Sequence, residues 1–91
     1  MNTATSFRIT GKVQGVGFRS FVNQTAQQFG LAGWVKNRGD GSVIGLVEGD
    51  YGLVVDFLKE LKVGNRWSRV EAVENQPHSL SDAFKSFEIR Y

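Results

Sequence analysis

A chain of 91 residues, 41% hydrophobic and 12% aromatic with a single proline, can bury about two-thirds of its unfolded surface in one compact domain, which excludes disorder. The absence of cysteine excludes disulfide frameworks, thiolate zinc sites, iron–sulfur clusters and a cysteine nucleophile, and the lone His78 leaves little for metal chemistry or a serine–histidine triad. Eleven basic against nine acidic residues give a net charge of +2, spread from Arg8 to Arg90 without a basic stripe, so no nucleic acid partner is expected.

From Phe7 to Val13 the residues alternate, with Phe7, Ile9 and Val13 on one side and Arg8, Thr10 and Lys12 on the other. That period predicts a half-buried first strand. Gln14-Gly15-Val16-Gly17 breaks it, after which Phe18, Phe21, Val22, Thr25, Ala26 and Phe29 recur at helical spacing until Gly30 stops the helix. Residues 33–37 and 42–48 flank Arg38-Gly39-Asp40-Gly41, a pattern that predicts a β-hairpin. Asp50 is placed to cap a second helix carrying Leu53, Val54, Phe57, Leu58 and Leu61 on one face, with Gly64 at its end. Arg69 to Asn75 is a weaker strand because Val70, Ala72 and Val73 do not alternate. Gln76 to Ser86 reads as loop, since Pro77 is incompatible with a central strand, and Phe87, Ile89 and Tyr91 form a last short strand. The order β-α-β-β-α-β is economically folded as an antiparallel sheet with both helices on one face, in a single domain spanning residues 1–91.

Two glycine-bearing segments can carry chemistry. GKVQGVGFR, residues 11–19, joins the first strand to the first helix. A helix start offers unpaired N–H donors and partial positive charge, which suit a phosphate or carboxylate. Gly15 and Gly17 let the backbone curl around an anion, and Arg19 can add a bidentate fork. An ordinary glycine turn with a solvated arginine is the alternative, and the pattern is neither a Walker loop nor a dinucleotide fingerprint. The second segment is GWVKNRGDGSV, residues 33–43. Asn37 falls on the core-facing parity at the strand's end, where an amide can orient a small molecule, although Asn37 and Asp40 also serve as simple turn formers. Trp34 has the opposite parity and points away.

Together the two segments closely resemble the acylphosphatase family, in which GxVQGVxFR is followed by GWVxN and a DGxV turn. The resemblance extends from about residue 6 to residue 91. It implies a ferredoxin-like βαββαβ two-layer sandwich of the α+β class and hydrolysis of a carboxyl phosphate without metal or cofactor. Carried over by position, it assigns phosphate binding to Gly15, Val16, Gly17, Phe18 and Arg19, and water positioning to Asn37, with Arg19 and Asn37 as the catalytic pair. The implied partner is a small acyl phosphate. A regulatory acylphosphatase-like domain that has lost activity or feeds a larger enzyme, as in hydrogenase maturation proteins, is the rival that the intact Arg19 and Asn37 argue against. An RNA-recognition domain would need aromatic segments that are not in register here, and a copper carrier would need paired cysteines.

No stretch approaches the ~20 apolar residues of a membrane span, so a cytoplasmic protein with no membrane partner is the expectation. A monomer is expected as well. Ile44 and Leu46, facing the side of the sheet away from the helices, would form with Trp34 a small exposed apolar patch, open to weak self-association or to a partner.

Overall fold

The computed structural model describes residues Met1–Tyr91. Its elements are β1 (Asn2–Lys12), α1 (Phe18–Gln28), β2 (Ala32–Asn37), β3 (Val43–Asp50), α2 (Tyr51–Val63), β4 (Arg69–His78) and β5 (Phe87–Arg90). The strands form one sheet in the order β4-β1-β3-β2-β5, with both helices on one face as the apolar stripes require. Phe7, Ile9, Val35, Val43 and Val47 of the sheet meet Val22, Ala26, Val54, Phe57 and Leu61 of the helices in a continuous core. Phe57 lies at the centre, with its ring 5.8 Å from Phe7 and 6.0 Å from Phe87. Burying each such side chain contributes about 1.5–3 kcal/mol.

The second helix starts and stops where its caps stand. The Asp50 side chain accepts a hydrogen bond from the Leu53 N–H at 3.3 Å, and Gly64 follows the last turn. The first helix stops at Gly30, whose φ of +65° is the left-handed conformation of a helix end. No helix is long and apolar enough to cross a membrane.

Three features differ from the sequence reading. First, the sheet is mixed: the pairs β4·β1, β1·β3 and β3·β2 are antiparallel, but β5 lies parallel to β2. Connectivity explains this, because β4 ends at the edge opposite β5, and the 79–86 segment crosses the sheet to enter beside the start of β2. Second, β4 continues through Gln76, Pro77 and His78, which were expected in a loop. As the edge strand it tolerates proline, and Pro77 pairs in register with Thr5. Its irregular alternation has a cause too, since the register shifts between Thr10↔Ala72 and Gly11↔Val70. A bulge there at Glu71 lets both Val70 and Val73 pack on the core.

Third, the expected apolar patch is not bare. Leu46 is 7% exposed and Glu48 5% exposed, although both point away from the helices. The crossing 79–86 segment covers this end of the face, with the Ser81 N–H and hydroxyl donating to Glu48 Oε2 at 3.0 and 2.9 Å. Trp34 lies beneath the Arg90 guanidinium, 5.0 Å from the ring centroid, and Phe84 of the crossing segment lies 5.6 Å from the same guanidinium. β1 begins at Asn2 rather than Phe7 because its first residues pair with the end of β3, from Asn2 opposite Asp50 to Ser6 opposite Leu46. Ala4 is buried on this face while Phe7 is buried on the other, so the early residues show no single period of two.

Candidate active site

The β1–α1 turn is shaped by two left-handed glycines, Gly15 at φ +74° and Gly17 at φ +70°, a conformation that other residues adopt only with strain. Gly17 precedes α1 without a side-chain cap, and the first turn holds no acidic residue. The first turn-type backbone bond runs from the Phe21 N–H to the Gly17 carbonyl, and no N–H of residues 14–20 donates to any backbone carbonyl among the turns and caps. A row of unspent donors at the positive end of a helix therefore faces outward.

A cavity of about 160 Å³ lies against these donors and is lined by Gly15, Gly17, Phe18, Arg19 and Asn37, with Gln14, Ile89 and Tyr91 among its other walls. Residues from two separate motifs thus converge on one small site. Val16 is the exception among the sequence-derived cradle residues: its carbonyl turns away and accepts from Asn65 Nδ2 at 2.9 Å.

Arg19 is held by the last strand. Its Nη1 donates to the Arg90 carbonyl at 3.2 Å, and its guanidinium carbon lies 4.6 Å from the centroid of the Tyr91 ring. Asn37 ends β2 opposite Val43. Its Oδ1 is buried and has no hydrogen-bond partner within the protein. A buried acceptor left without a partner costs free energy until a donor reaches it.

The turn behind Asn37 is braced. Asp40 accepts from the Ser42 hydroxyl at 2.6 Å and the Ser42 N–H at 2.9 Å, and its other oxygen accepts from Arg8 at 3.2 Å. The Ser42 donors, followed by Arg8, hold the Asp40 carboxyl below the usual carboxylate range. Gln14 ties this hairpin to the β1–α1 turn, donating from Nε2 to the carbonyls of Arg38 at 2.7 Å and Ser42 at 2.9 Å. Sequence reasoning treated Gln14 only as a strand breaker. Its place inside the first motif was the available signal, whereas Asn65 offered none.

A larger groove, about 640 Å³, lies on the opposite face of the sheet beside Arg8, Trp34, Ile44 and Glu74. Arg8 is already paired there with Asp40 and Glu74, and the helix donors do not reach it. The small cavity is the one that Arg19, Asn37 and the start of α1 share. No group of three His, Cys, Asp or Glu side chains lies close enough to share a metal ion.

The family model described as Acylphosphatase matches residues 5–89. The chain belongs to the acylphosphatase family. The acylphosphatase of Koribacter versatilis (strain Ellin345) is 48% identical over 88 residues, covering 97% of this chain and 80% of that protein. The crystal structure of acylphosphatase from Bacillus subtilis superposes with a TM-score of 0.94 at 37% identity, covering all of both chains. Full-length HypF, crystallised in a phosphate- and nucleotide-bound form, aligns over all of this chain and 12% of its own, with a TM-score of 0.87 at 30% identity. The fold is the ferredoxin-like acylphosphatase fold, and the activity is that of an acylphosphatase, a hydrolase.

Proposed function

We propose that the chain hydrolyses small acyl phosphates to a carboxylate and inorganic phosphate by direct in-line attack of water. In this reading the N–H groups of the Gly15–Arg19 segment and the Arg19 guanidinium hold the phosphoryl oxygens. Asn37 Oδ1 accepts a hydrogen bond from the attacking water and aims its oxygen at phosphorus. The water oxygen bonds to phosphorus as the bond from phosphorus to the acyl oxygen breaks. The carboxylate departs with the bonding pair and needs no proton, so no general acid is required. The proton of the water passes to the new phosphate or to solvent. What remains is positioning and stabilisation of charge on the phosphoryl oxygens, tasks suited to fixed donors in a small cavity.

The observation that carries this reading is the buried, unpartnered Oδ1 of Asn37 in the same cavity as Arg19 and the free end of α1. An amide that merely formed a turn would spend its oxygen on the turn.

The test is hydrolysis of benzoyl phosphate in excess chelator by the wild-type protein, Arg19→Ala and Asn37→Ala. Turnover is expected to survive chelation, to collapse in Arg19→Ala, and to fall about 10²-fold or more in kcat for Asn37→Ala with a modest change in KM. A rise in KM alone for Asn37→Ala would show that Asn37 binds substrate rather than water.

A further inference from the structure

We propose that Asn65 is a positioning residue of the phosphate cradle, fixing the Val16–Gly17 peptide so that the Gly17 N–H faces the phosphoryl group. The inference rests on the cradle reading above.

In a trans peptide the C=O and N–H lie in one plane and point in opposite directions. Whatever fixes the Val16 carbonyl therefore fixes the Gly17 N–H. That carbonyl has one partner, Asn65 Nδ2 at 2.9 Å, and it accepts no backbone bond among the turns and caps. The two residues on either side of Val16 are the left-handed glycines Gly15 and Gly17, and open space surrounds the place where a Cβ would stand on each. Nothing in the turn itself stops this peptide from flipping. A flip would carry the Val16 oxygen toward the anion and remove a donor, replacing attraction by repulsion at the same position.

Asn65 is well built for the task. It follows Gly64, which takes φ +79° and turns the chain sharply after α2. Its own N–H donates to Ser68 Oγ at 3.0 Å, and that hydroxyl donates back to the Asn65 carbonyl at 3.1 Å. The side chain is thus presented from a closed turn. Its Oδ1 is buried without a partner, so the bond to Val16 alone sets the direction of the amide.

The experiment measures inorganic phosphate binding by calorimetry, and the phosphate-induced shift of the Gly17 amide by ¹H–¹⁵N spectroscopy, in the wild type, Asn65→Ala and Asn65→Leu. Leucine keeps the branched skeleton, removes the donor and adds no charge, and the Ser68 bonds to the backbone remain in both variants. Phosphate affinity is expected to fall about three- to tenfold in both, the size of one lost hydrogen bond, with KM for benzoyl phosphate rising in step. The downfield displacement of the Gly17 amide proton on phosphate binding should shrink, a change that loss of general stability would not produce. Wild-type affinity with an undiminished Gly17 shift in both variants would overturn the role of Asn65. Failure of the wild-type protein itself to bind phosphate would overturn the cradle, a separate result that needs no variant.

Discussion

At Arg19 the guanidinium is oriented before any substrate arrives. One nitrogen donates to the Arg90 carbonyl and one face rests on the Tyr91 ring, which fixes the plane and, in the proposed reading, leaves the other N–H groups for two phosphoryl oxygens. Lysine would keep the charge but lose both the plane and the fork. Arg19→Lys is therefore expected to lower kcat/KM for benzoyl phosphate by about 10²-fold or more, read from the loss of substrate absorbance. Near-normal turnover would show that charge alone suffices and that the bidentate clamp is wrong. The convergence of Arg19 and Asn37 on one cavity was legible because each stands in a glycine-bearing motif at the end of an element. Gln14 and Asn65 were not legible as supports, because each acts on backbone carbonyls far along the chain. Every residue has a carbonyl, so no pattern of side chains announces such a partner.

Among the elements, the helices were legible from apolar spacing and glycine stops, and the hairpin from its Asp-Gly turn. What escaped was set by contacts outside each segment. The bulge at Glu71 shifts the parity of β4, and Ala4, Leu46 and Glu48 are buried on the face that should have been open, where Ser81 of the crossing segment binds Glu48. The direction of β5 follows from where that crossing begins and ends. At the start of α2 the local signal was sufficient, and it carries a pH dependence. The Leu53 N–H, donating to the Asp50 carboxylate, pulls the Asp50 pKa below its ordinary value. A lowered folded-state pKa means that the ionised cap stabilises the fold above the unfolded pKa of about 3.9, and that this contribution is lost as pH falls through the folded value. Asp50→Ala is thus expected to melt below the wild type at pH 7, with the gap narrowing at pH 3. Equal gaps at both pH values would show that the charge of the cap contributes nothing.

For the whole molecule, the sheet separates two regions of different character. The cavity at the β1–α1 end is lined by backbone N–H groups, Arg19, Asn37 and apolar side chains, and includes no Asp, Glu or His side chain. His78 stands at the other end of β4, paired with Ala4, which places it roughly 25 Å from the cradle along β1 at the usual rise of a strand. Histidine, the side-chain type whose charge ordinarily changes between about pH 5 and 8, is thus absent from the proposed reacting centre. An acyl phosphate asks for no such group, because its leaving carboxylate departs unprotonated. Over the pH range in which the substrate keeps one ionic form, kcat for benzoyl phosphate should be flat, and His78→Gln should give a superimposable profile. A limb that vanished in His78→Gln would place an acid–base group in the reaction, and positioning by Arg19, Asn37 and the cradle would no longer account for the chemistry.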